Sequence, residues 1–226
     1  MKKETMLKLY DLKNFVKERE AVNEREQIIA RINEILICEM NEQKIGKFDL
    51  YELCAPKDRE AYAGVAHLNG YKYATDGGML AKIKTEYPQE LEGRMVLKNG
   101  SFAPEYVRFP RYDSVIPNTD GWKEFKVDFS EFAESKKLAN VHWKEHKKDP
   151  SYRAIVILNE EIQLSYWKFE KLLKLMKELN TDVVYYINNT RAIVVKEKDS
   201  VCLLMPLLPR ENFEESHFVY RMNNKE

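Results

Sequence analysis

The segment that decides the fold reads Gly64-Val65-Ala66-His67-Leu68-Asn69-Gly70-Tyr71-Lys72-Tyr73-Ala74-Thr75-Asp76-Gly77-Gly78-Met79-Leu80-Ala81-Lys82-Ile83. Two short strand-like runs flank Asn69-Gly70. Asn-Gly most readily takes the two positive φ angles of a tight hairpin turn. Thr75-Asp76-Gly77-Gly78 is turn chemistry again, and 79–83 reads as a third strand. The centre of this region is therefore an antiparallel sheet built from local hairpins.

Toward the C-terminus, Asn99-Gly100 predicts a second hairpin. Pro88, Pro104, Pro110 and Pro117 mark irregular or edge structure between. Asn118-Thr119-Asp120-Gly121 is the best domain boundary. Beyond it the spacing predicts a strand at 124–127 and a helix over 129–147, with Phe132, Leu138, Val141 and Trp143 as its apolar residues. A fully apolar strand follows at 154–158. Ser165 is expected to cap a helix reaching 179, with Phe169, Leu172, Leu173, Met176 and Leu179 on one face. Strands at 182–187, 192–195 and 201–204 close the pattern, and a polar tail starts at 210. Two helices against an antiparallel sheet make an α+β architecture.

Toward the N-terminus, residues 1–45 read as a helical extension. Its main helix runs over 23–40, with Ile28, Ile29, Ile32, Ile35, Leu36 and Cys38 apolar and Asn23 as N-cap. The expected division is 1–45, then a domain over 46–118, another over 119–209, and the tail over 210–226.

Composition narrows the function. The chain of 226 residues is 44% hydrophobic, enough for a real core. Lys+Arg and Asp+Glu are 37 each, so net charge makes no case for nucleic acid, and any DNA contact needs local segregation of charge. No apolar run long enough to span a membrane and no secretory signal pattern are seen, which predicts a cytoplasmic protein with no membrane partner. Cys38, Cys54 and Cys202 are scattered, without metal-ligand spacing, and read as reduced thiols. Asp76-Gly77-Gly78 is not a phosphate loop, because no Gly-Lys-Ser/Thr follows it. No nucleophile elbow is present, and no cofactor is expected.

Three segments carry a family resemblance. Tyr73-Ala74-Thr75-Asp76-Gly77-Gly78-Met79-Leu80-Ala81 resembles the Ala-Thr-Asp-Gly-His-Arg-Leu-Ala segment of bacterial DNA sliding clamps, the β subunit of the replicative polymerase. Arg108-Phe109-Pro110-Arg111-Tyr112-Asp113-Ser114-Val115-Ile116-Pro117 is similar to the clamp segment Arg-Phe-Pro-Asp-Tyr-Arg-Arg-Val-Leu-Pro. Leu203-Leu204-Met205-Pro206-Leu207 is similar to the closing Val-Val-Met-Pro-Met. The three occur in the family's order and span about 48 to 209. A clamp chain has three similar domains, whereas this one has room for two, the first abbreviated. The 23–40 helix is expected to cover the exposed face of that shortened sheet.

The resemblance implies a DNA-clamp-like α+β fold, a non-catalytic role in replication, and a pocket for linear peptides of polymerase or repair proteins. Carried over residue by residue, the pocket is Thr75, Gly77, Gly78, Met79, Leu80, Pro110, Val115, Ala192, Leu203, Leu204, Met205, Pro206 and Leu207. It also implies double-stranded DNA as a partner, faced by Lys136, Lys137, Lys144 and Lys147 on one helix and Lys168, Lys171, Lys174 and Lys177 on the other. Ring closure would require a homo-oligomer. The reduced size suggests a phage or mobile element. Two alternatives stay open here. One is an interaction module that keeps the clamp fold without any DNA role. The other is a zinc metalloprotease, since His142-Trp143-Lys144-Glu145-His146 matches a His-x-x-Glu-His motif. That reading needs a third ligand, for which Glu170 and Glu178 are candidates by type.

Overall fold

The computed structural model describes residues 22–40, 43–56, 59–149, 151–188, 191–208 and 217–224, with residues 9, 12 and 13 before them. The part of the expected helical extension before residue 22 lies otherwise outside the described residues.

The elements are helix α1 (Val22–Met40), strands β1 (Lys44–Ile45) and β2 (Phe48–Asp49), β3 (Gly64–Leu68), β4 (Tyr71–Thr75), β5 (Met79–Lys84), β6 (Arg94–Leu97) and β7 (Lys123–Lys126). Helix α2 (Phe129–His146), β8 (Ala154–Leu158), β9 (Ile162–Ser165), α3 (Tyr166–Glu178), β10 (Val183–Tyr186), β11 (Ile193–Glu197), β12 (Ser200–Leu204) and β13 (Phe218–Met222) follow.

Eight strands form one sheet in the order β6-β3-β4-β5-β12-β11-β10-β7. The β3–β4 hairpin turns at Asn69 and Gly70, with φ of 53° and 77°, the pair of positive angles that Asn-Gly supplies at low steric cost. The sheet of the first half joins that of the second through β5 and β12, which pair antiparallel with Leu80 opposite Leu203 and Met79 opposite Leu204. The regions assigned to separate domains thus share one continuous sheet. A second sheet, β13-β8-β9, packs beside it.

Side chains alternate across the large sheet. Ala74, Met79, Ala81, Ile83, Ile193, Val195, Cys202 and Leu204 enter the main core with α3, α2 and the second sheet. Ala66, Tyr73, Leu80, Val194 and Leu203 face the other way, under Phe109, Tyr112, Ile116 and Trp122 of the crossing segment.

Sequence and structure part company at four places. Strand β9 falls where the sequence predicts no element, and β13 lies within the expected polar tail, paired parallel to β8. Helix α2 buries Phe132, Ser135 and Ala139, whereas Leu138 is 65% and Val141 55% exposed. Ser135 can be buried because its hydroxyl bonds Phe132 O and Tyr166 Oη, both at 2.8 Å. Finally, Ile32 and Leu36 of α1 are buried, yet neither joins the clusters on the two sheet faces. Phe48, Leu50 and Leu53 fill the expected place of α1 against Val65, Ala74 and Ile83.

Both edges of the large sheet are occupied by the chain itself. At β6, Ala103 N donates to Met95 O at 2.9 Å and Leu97 N to Ser101 O at 2.8 Å. At β7, Lys126 N donates to Asn224 Oδ1 and Asn224 Nδ2 to Glu124 O, each at 3.1 Å. No helix among the described residues is long and apolar enough to cross a membrane.

Candidate functional site

The Thr75–Met79 turn is fixed by its own side chains. Asp76 Oδ1 accepts from Gly78 N and Met79 N at 2.8 Å each. Thr75 Oγ1 accepts from Gly77 N at 3.0 Å and donates to Met79 O. Gly77 sits at φ 86°, a conformation that disfavours any Cβ. Lys168 Nζ of α3 reaches Asp76 Oδ2 at 2.7 Å and ties the turn to the second half. Met205 N donates to Gly78 O at 2.9 Å, extending the β5–β12 ladder by one bond.

Burial by itself pushes the pKa of Asp76 up. The hydrogen bonds from Lys168, Gly78 N and Met79 N outweigh it and hold the carboxyl below its ordinary range. Its ionised form therefore adds stability that is complete above the unfolded value and is lost as pH falls through the folded one. Acid titration of unfolding should show this loss below about pH 4. Asp76→Asn should be less stable near neutrality and should lose less on acidification; an unchanged acid limb would contradict the pairing.

The turn, the start of β5, the end of β12 and the crossing segment enclose a cavity of about 270 Å³. Thr75, Gly77, Gly78, Met79, Leu80, Pro110, Val115, Ala192, Leu203 and Met205 line it, together with Tyr62, Arg111, Tyr112 and Ser114. Leu204, Pro206 and Leu207, expected in the same slot, do not. Leu204 is turned to the main core by strand alternation. Leu207 lines a separate cavity with Trp143, Tyr152 and Trp167, its N–H on Gln163 O at 2.7 Å. Arg111, Tyr112 and Ser114 were missed although they interleave with Pro110 and Val115. They belong to the 3-10 turn Tyr112–Val115 and its cap Arg111, where three residues per turn set Arg111 on the same side as Ser114 and Tyr112 on that of Val115.

The lining carries no carboxylate, imidazole, thiol or amine among the described residues. Burial, with Cys54 and neighbouring tyrosines beside it, keeps the Tyr112 phenol protonated well above its ordinary range. Such a wall can hold an apolar side chain and backbone but offers no general base.

The lysines expected to face DNA separate into two groups. On α3, Lys168 pairs with Asp76, Lys171 Nζ donates to Glu52 O at 2.6 Å, and Lys174 lies 3.7 Å from Glu170 and 3.9 Å from Glu52. Lys177 sits over the Phe129 ring at 5.0 Å. Lys136 of α2 pairs with Glu170 at 2.5 Å. Lys137, Lys144 and Lys147 are exposed.

His142 and His146 stack on one another with ring centroids 4.4 Å apart and pack on Tyr152. No group of three His, Cys, Asp or Glu among the described residues is placed to hold a metal. Glu170 is engaged by Lys136 and Lys174, and Glu178 lies at Gly46.

No family model matches the chain, and no curated protein matches it by sequence. Solved structures do match. The β subunit of DNA polymerase III from Borrelia burgdorferi, solved with a natural product, covers 78% of this chain and 62% of its own, at 10% identity and a TM-score of 0.52. The sliding clamp of Bartonella birtlesii, solved with griselimycin, covers 76% and 65%, at 12% identity and a TM-score of 0.50. The chain spans less than two thirds of the length of these clamps. Over the part it spans, its β-strands and helices have the fold of the bacterial DNA sliding clamps.

Proposed function

We propose that this protein is a non-catalytic, clamp-fold binding protein that captures linear peptides of replication or repair proteins in the cavity between β5, β12 and the 110–115 segment. One observation carries the reading. Three segments far apart in sequence, at 75–80, 110–115 and 203–205, converge on a single apolar slot. Leu80, Leu203 and Met205 supply adaptable apolar surface, and Pro110 and Val115 supply a rigid wall. Two clamps of the same fold were solved with griselimycin or a natural product bound, which supports looking for ligands on this fold. Binding of labelled Leu- and Phe-containing peptides, followed by fluorescence anisotropy, tests it; no saturable binding at high micromolar protein would end it.

A second reading concerns DNA. The engaged α3 lysines and occupied sheet edges favour an interaction module that does not encircle DNA. An open edge is the template on which another copy would extend the sheet, and here both edges are hydrogen-bonded internally. The expected result is a monomer by sedimentation equilibrium, retained no better by closed circular DNA than by linear DNA. A stable trimer with topological retention would favour encircling, with Lys137, Lys144 and Lys147 as the phosphate contacts. On this reading the protein works in the cytoplasm, with soluble partners.

A further inference from the structure

We infer that the cavity selects acidic peptides, in which an apolar side chain fills the slot and a carboxylate within two residues meets Arg111. This rests on the peptide-capture reading and names the partner's chemistry.

The argument is one of charge left over. Two acidic residues interleave with the lining, and each is already held. Asp76 pairs with Lys168 at 2.7 Å, and Asp113 pairs with Lys82 at 2.7 Å and accepts from Tyr73 Oη at 3.4 Å. Those pairs are locally neutral. Arg111 lines the slot and is exposed. Arg59 is exposed too, and its Nη1 lies 3.9 Å from where a Cβ on Gly77 would stand. Neither guanidinium has an ion-pair partner among the described residues. Glu60, the next carboxylate along the chain, faces the neighbouring cavity with Tyr51 and Cys54.

Two cations with no ion-pair partner among the described residues thus flank an apolar slot whose lining holds no acid. A guanidinium presents its donors as a planar fork suited to a carboxylate. In an extended peptide, alternate side chains share a side and are about 7 Å apart. With the terminal Phe in the slot, an acid two positions before it stands at the rim, where a flexible Arg111 side chain can close on it. A basic flank meets like charge at the same place, which sets specificity by repulsion as well as attraction.

The test uses three peptides with one label, acetyl-Asp-Leu-Asp-Leu-Phe-amide and its Asn and Lys counterparts, and anisotropy at low and high salt. Wild-type protein should bind the Asp peptide about tenfold tighter than the Asn peptide, and more so than the Lys peptide. The gap should shrink as salt rises. Arg111→Gln should narrow the preference, and Arg111→Glu should reverse it toward the Lys peptide; unchanged thermal unfolding of both variants shows that they fold. Equal affinity for all three peptides, lost in Met205→Lys, overturns the acidic preference and leaves peptide capture standing. No binding of any peptide overturns both.

Discussion

Met205→Lys should lower the affinity for a bound apolar peptide by about 100-fold, roughly 2.7 kcal/mol, while Leu207→Lys should change it by less than about threefold. The two residues are neighbours in the closing segment and equally apolar, so sequence alone gives them the same role. The structure separates them. Met205 lines the cavity beside Leu203 and Ala192 and is 49% exposed, so its side chain is available to a ligand without supporting the core. A lysine there places a strongly hydrated ammonium at the slot, and desolvating it would cost more than the lost methionine contacts. Leu207 faces the separate cavity of Trp143, Tyr152 and Trp167. Anisotropy with one peptide on both variants measures the difference. Equal losses would mean that a bound peptide runs across both cavities.

The second large effect concerns the core that holds the two halves in register. Phe169 of α3 is fully buried and meets the Phe132 ring edge-to-face, centroids 5.6 Å apart. Phe169→Ala should cost about 3–5 kcal/mol through lost burial plus the cavity left behind. For a chain of this size that is a fall of about 10 °C in the unfolding midpoint. Leu138→Ala provides the contrast. The apolar pattern of α2 puts Leu138 on the packed face, but it is 65% exposed, so the variant should stay within about 0.5 kcal/mol of wild type. Calorimetry on both variants decides which face of α2 is packed.

The residues that misled are informative. The β3–β4 hairpin and its turn were legible because an Asn-Gly acts locally. Helix α3 was legible because Phe169, Leu172, Leu173 and Met176 repeat at helical spacing. Strand β13 was not, because its apolar run Phe218-Val219-Tyr220 is only three residues long within a polar tail and becomes a strand by pairing with β8, more than sixty positions away. Strand β9 is four residues long, and its Ile162–Leu164 alternation merges with the cap of the next helix. On α2, polarity was a poor guide. Ser135 is satisfied by Tyr166 and can be buried, while Leu138 points to solvent. The cavity was legible only through the clamp resemblance, since nothing local ties residue 77 to residue 205. Even then Leu204 and Leu207 were misplaced, because a run of apolar residues does not reveal which ones share a side.

Methyl NMR on protein labelled at its methionines tests the central claim most directly. Met205 lines the cavity, whereas Met176 and Met222 are buried in the core away from it. Titration with the acetylated Asp-Leu-Asp-Leu-Phe peptide should shift the Met205 methyl in a saturable way and leave those of Met176 and Met222 in place. Saturable binding with a silent Met205 methyl would contradict the account, because the peptide would then be held somewhere other than the slot between β5 and β12.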